Sequence, residues 1–127
     1  MAGRTDGLIK NFRAGAALPP FTIVKLGATD TDVLAAAGAG DGIIGVTGEV
    51  AAAQGERVDV HMGEIADVRF GGPVVRGVTP ITSDAAGAGV AAAPAAGALA
   101  RILGIPLVSA AAGDVGPVLI QPAFYRG

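Results

Sequence analysis

Two glycine-rich motifs are the first residues in this 127-residue chain that could carry chemistry. Gly40-Asp41-Gly42-Ile43-Ile44-Gly45 fits GxGxxG, and Gly87-Ala88-Gly89-Val90-Ala91-Ala92 fits its GxGxxA variant. A dinucleotide site needs such a motif between a strand and a helix, so that the helix N-terminus meets the pyrophosphate. Residues 40–45 run instead into an apolar Ile-Ile-Gly-Val strand, and a chain with 21 glycines produces such spacings by composition. There is no GxxxxGK[ST] loop; the only lysines are Lys10 and Lys25. His61 is the sole histidine, and in a strand Glu64, three residues on, points to the opposite face, which is poor for a shared metal. Asp30, Asp32 and Asp41 offer the oxygens calcium accepts, without EF-hand spacing. Ser83 and Ser109 are the only serines, and neither sits in a GxSxG elbow. Cysteine is absent, which excludes thiolate nucleophiles, disulfides and Cys-ligated zinc. The expectation is no catalytic residue, no cofactor and no metal: the chain does not read as an enzyme.

The elements that would position any site read as strands. Val58, Val60 and Met62 alternate with Arg57, Asp59 and His61; Ala66, Val68 and Phe70 alternate with Asp67 and Arg69; Val118 and Ile120 continue the pattern. This period of two marks half-buried strands. Gly55-Glu56, Gly71-Gly72, Gly87-Ala88-Gly89 and Gly113-Asp114 supply turns. The fold class is all-β, a compact barrel or sandwich. A short helix over residues 31–37, capped by Asp30 or Thr31, is the one exception expected.

The chain also reads as written twice. Phe21-Thr22-Ile23-Val24 recurs as Val78-Thr79-Pro80-Ile81, and Ile43-Ile44-Gly45-Val46 as Ile102-Leu103-Gly104-Ile105. Ala51-Ala52-Ala53 recurs as Ala110-Ala111-Ala112, and Gly55-Glu56 as Gly113-Asp114. These matches predict pseudo-repeats over about residues 21–77 and 78–122 within one β-rich domain, residues 21–127. Residues 1–20, ending at Pro19-Pro20, are expected to form an extended N-terminal arm outside the repeat.

Composition narrows the function. Only 16% of residues are charged, below the roughly 25% of ordinary soluble domains, so apolar surface is left for an oligomer or a partner. A net charge of −2 with four Phe, one Tyr and no Trp lacks the basic stripe and stacking surface that nucleic acid requires. The N-terminus has no signal-peptide apolar core, and the longest uncharged run, residues 85–100, is too short and too rich in Ala and Gly to span a membrane.

The ordered set Ile43-Ile44-Gly45-Val46, residues 51–60, the turn Gly71-Gly72-Pro73-Val74-Val75-Arg76-Gly77, Ile81-Thr82-Ser83-Asp84-Ala85, residues 101–105 and residues 110–114 is similar to the capsid cement, or head decoration, proteins of tailed bacteriophages. The likeness covers roughly residues 20–122. It implies a β-rich virion protein, made in the host cytoplasm, that binds the outer capsid surface as a homo-oligomer, trimer before dimer, and stabilises the shell by bridging subunits of the major capsid protein. It implies no catalytic residue, no direct nucleic acid contact and no membrane. The arm would supply the capsid contacts: Leu8, Ile9 and Phe12 as apolar anchors, Arg4, Lys10 and Arg13 toward acidic groups. Deleting residues 2–17 is then expected to abolish shell binding and spare the fold. The alternative is a small carrier or ligand-binding module on a duplicated β-sandwich, like lipoyl and biotinyl domains. Its attachment lysine is missing from residues 71–77, where Arg76 stands.

Overall fold

The computed structural model describes residues 9–127 and, among them, contains strands and turns but no helix. The strands are β1 (Ile9–Ala14), β2 (Ile23–Leu26), β3 (Asp32–Ala35), β4 (Ile43–Thr47) and β5 (Arg57–His61). They are followed by β6 (Glu64–Arg69), β7 (Ile81–Ser83), β8 (Gly89–Ala91), β9 (Leu99–Pro106) and β10 (Val115–Arg126).

The first five strands form a closed barrel, in the order β1-β3-β2-β4-β5 and back to β1. The second five form a sheet in the order β6-β10-β9-β7-β8. Read from its other end, that order is the barrel's circular order started at β3, with each strand replaced by the one five later. The two five-stranded units are therefore threaded alike. Closure differs between the two. β1 and β3 pair in parallel at Arg13↔Asp32 and Ala14↔Val33, whereas β6 and β8 meet at a single parallel bridge, Phe70↔Gly89.

The repeat begins earlier than the sequence matches suggested. β6 occupies in the second unit the place of β1 in the first, so the boundary lies before Glu64 and not at residue 78. Arg13-Ala14-Gly15 corresponds to Arg69-Phe70-Gly71, and the bridge Leu18↔Ala52 to Val74↔Ala110. Residues 9–18 consequently belong to the barrel and not to an arm outside it. β1 is held by five residue pairs with β5, Ile9↔His61 through Arg13↔Arg57. The helix expected over residues 31–37 is also replaced. Asp32–Ala35 pairs with β2, and Ala36 is buried in the core. Alanine favours helix only weakly, and a ladder on both edges of β3 outweighs it.

Two large apolar clusters hold the fold, and a third, small one joins Ala92, Ala100 and Ile102. The barrel interior contains Phe12, Ala14, Leu18, Val24, Val33, Ala52, Val58 and Val60. The larger cluster combines Val68, Phe70, Ile81, Leu103, Val118 and Ile120 of the second unit with Ile23, Ala36, Ile43 and Val46 of the first. β2 and β4 thus bury both faces, one in each cluster: Val24 points into the barrel while Ile23 points toward the second unit. A strand covered on both sides reads as a continuous apolar run, which accounts for the Ile43-Ile44-Gly45-Val46 motif. Its glycine has a steric cause, because a Cβ at Gly45 would collide with the carbonyl of His61 on β5. At the matching Gly104 a Cβ would collide with the carbonyl of Leu119 on β10.

The turns repeat as well. Gly55 and Gly113 have φ of 88° and 91°, a conformation that costs glycine little. The following carboxylates close the turns: Glu56 accepts from the Ala53 N–H at 2.7 Å, and Asp114 from the Ala111 N–H at 2.9 Å. Buried hydroxyls are satisfied. Thr47 Oγ1 accepts from the Thr22 N–H at 2.9 Å and donates to the Pro19 carbonyl at 3.1 Å, and Thr82 Oγ1 donates to the Arg101 carbonyl at 2.8 Å.

Candidate interaction surface

The residues expected to grip a partner are divided by the fold. Arg4 and Leu8 lie outside the described residues. Ile9, Lys10 and Arg13 are exposed on β1. Phe12 is not available: at 3% exposure it packs in the barrel interior, beneath the Lys10 ammonium, which lies 5.4 Å from its ring centroid. Alternation is the cause, since neighbouring strand residues face opposite sides and Phe12 must share the side of Ala14. β1 also lies within the segment whose deletion was expected to spare the fold. Removing residues 2–17 would take the strand that closes the barrel.

The first unit carries an open depression at its edge, and a second one lies where the two units meet. The two, of about 400 and 430 Å³, share Gly48, Glu49 and His61. The first adds Arg57 and Asp59, the second Ile65 and Asp67. The imidazole of His61 lies against Gly48. Phe21 closes one side and holds a φ of 56°, which is unusual for a bulky residue. Its backbone explains how that conformation is kept. The Phe21 N–H donates to Gly48 and its carbonyl accepts from Arg69, both at 3.0 Å, so it ties β4 to β6. Asp41 is not grouped with Asp30 and Asp32 around an ion. It bonds Lys25 at 3.1 Å, and among the described residues there is no group of three metal-ligating side chains. The Ala37 N–H first, and then Lys25, hold the Asp41 carboxyl below its ordinary value of 3.8.

The second unit carries a projection that the first lacks. β5 stops at His61, but its counterpart β10 continues to Arg126, past a register shift between Ile120 and Ala123, alongside the first residues of β9. All six residues from Gln121 to Arg126 are exposed. The ribbon shows Phe124 at 66%, Tyr125 at 41% and Leu99 at 55% exposure. Arg101 anchors it. Its Nε and Nη2 donate to the Ile43 carbonyl at 3.2 and 3.1 Å, and its guanidinium lies 5.2 Å from the Phe124 ring centroid. The sequence reading ended the repeat at residue 122 and missed this surface. The available signal was Phe124-Tyr125, two of the few aromatics in the chain, placed beyond the last repeated element.

No protein-family model matches the chain, and no curated protein matches it in sequence. A solved structure shares its fold. It is the head fiber gp8.5 N base in bacteriophage phi29. The TM-score is 0.68 at 15% sequence identity, over 89% of this chain and 92% of that one. A match of that extent takes in both five-stranded units, so the likeness concerns the whole duplicated architecture.

Proposed function

We propose that this protein is a non-enzymatic structural component of a tailed-phage virion, bound to the outer surface of the capsid and bridging subunits of the major capsid protein. The observation that carries the reading is the shared fold with a phage head fiber base across nearly the whole chain. The ordered motifs that resemble head decoration proteins agree with it.

The physical requirement is modest. A shell offers many equivalent sites, and a protein that touches two subunits at each makes their separation depend on its own release. Exposed Ile9 and Arg13 share the outer face of β1 and form one contact patch, Lys10 is exposed on the opposite side over Phe12, and the rigid strand between them carries no ordering cost of its own. The two cations would meet acidic groups of the shell and give binding a salt dependence.

The test is co-sedimentation of the purified protein with capsids that lack it, followed by imaging of the decorated shells. Saturable binding, extra density on the outer surface and a higher temperature of capsid disruption are expected. Lys10→Glu with Arg13→Glu should reduce occupancy several-fold while the isolated protein melts as before. Shells that gain neither density nor heat resistance would sink the proposal.

A further inference from the structure

β10 is paired on both sides only along its first half. From Val115 to Ile120 it pairs with β6, joined on its other side by β9 from Val118, whereas from Ala123 to Arg126 it pairs with β9 alone. β6 cannot follow it further, because the chain leaves β5 and enters β6 through Glu64 at φ 58°. Among the described residues no other strand lies on that side.

The orientation of the peptide groups along this edge follows from two bonds. Gly127 N–H donates to Ala98 at 2.9 Å, toward β9, and Arg101 N–H donates to Ala39 at 2.9 Å, away from β10. Alternation then turns the peptide groups of Phe124 and Arg126 toward the open edge, past the register shift that holds Pro122.

We propose that two copies of this chain join through this edge, antiparallel, about a two-fold axis at Phe124. Each Phe124 N–H donates to the Phe124 carbonyl of the other copy, and each Arg126 N–H to the other copy's Pro122 carbonyl. Pro122 has no N–H to give, but it falls at the end of the ladder, where the Arg126 carbonyl opposite it stays in water. Every donor on the edge is thereby used.

The side chains are self-complementary in the same register. Phe124 meets its own counterpart, and each ring carries an Arg101 guanidinium on its far side, which makes an Arg-Phe-Phe-Arg row. Tyr125 falls opposite Ala123, large against small. Arg126 falls opposite Pro122, so no like charges face each other. The surface is extended, apolar and open at its backbone, the kind of edge that recruits another strand.

The 127-residue chain should sediment as a dimer, and the Phe124 and Arg126 amides should exchange slowly with solvent in the dimer and quickly on dilution. Phe124→Lys places two ammonium groups against each other and should raise the dimer dissociation constant on the order of 100-fold. A monomer at millimolar concentration, a trimer, or a dimer whose 124 and 126 amides exchange freely would overturn the proposal. Should the Phe124→Lys chain fail to fold, the amide measurement on the unaltered protein decides alone. The proposal stands apart from the capsid reading, since neither readout involves a shell.

Discussion

The first five-stranded unit closes on itself and the second barely does, although both are threaded in the same order. The seam explains how each is filled. In the barrel, small Ala14 pairs with large Val33; in the second sheet, large Phe70 pairs with Gly89. The bulk has changed sides. Phe70 is 1% exposed, and a Cβ at Gly89 would sit 3.1 Å from Ile81 and Val68 and 3.3 Å from Phe70. One seam thus makes two parallel pairs and the other one. The duplicated fold tolerates that difference because Ile23, Ile43 and Val46 of the first unit cover the second unit's core.

The sharpest way to break this comparison is to exchange the seams. Phe70→Ala should cost about 3–5 kcal/mol, as emptying a large buried site does. Gly89→Val alone should also destabilise, because Ile81, Val68 and Phe70 already fill the space. The double variant, which copies the Ala14/Val33 arrangement, should recover part of the loss. Equilibrium denaturation of the three variants measures this, and strictly additive losses would show that the seams are not equivalent.

A smaller effect tests whether the matched glycines do the same work. Gly45→Ala and Gly104→Ala should each cost about 1–3 kcal/mol through forced separation of neighbouring strands. Similar losses would support one shared steric cause. A neutral Gly104→Ala would show that the register shift in β10 relieves the contact.

The smallest effect concerns a brace that the first unit has where the second has its ribbon. Asp41 accepts from Ala37 at 2.6 Å and bonds Lys25 ahead of β4, whereas β9 has already begun at the corresponding place. Asp41→Asn should cost less than about 1 kcal/mol at neutral pH, since the pair is partly solvated. Asp41 titrates below 3.8 when folded, so its contribution is present above that value and is lost as pH falls through the lower folded pKa. The stability difference between the two proteins should therefore close in acid. A difference that persists there would assign the effect to the loop and not to the charge.

Much of this architecture was legible in the sequence. Alternation in residues 57–62 and 66–70 pointed to β5 and β6, whose bounds are Arg57–His61 and Glu64–Arg69, and the paired Gly-acid turns were found with their mates. What escaped notice has a physical reason in each case. β1 shares few residue types with β6: Phe12 and Ala14 occupy the places of Val68 and Phe70, so the large residue at the seam has moved and the identities no longer match. β3 is short and alanine-rich, and its pairing on both edges is not a local property. The Ile43-Ile44 run lacks alternation because both of its faces are covered. Of the expected contact residues, Ile9 and Arg13 lie on the outer face of β1 and Lys10 is exposed on the side of Phe12, while Phe12 itself is buried because alternation turns it into the barrel. The ribbon was invisible for the opposite reason: it has no repeat to betray it.

The swapped bulk at the two seams has a consequence for assembly. A chain that contains the same unit twice, crowded with identical chains, can fold by borrowing a strand from the wrong unit or from a neighbour. Were β1 to dock on β8, Ala14 would face Gly89 and leave a void. Were β6 to dock on β3, Phe70 would face Val33 and leave no room. Both errors carry a steric penalty that correct pairing avoids, so the seam works as a proofreading device, sorting two nearly interchangeable strands by size alone.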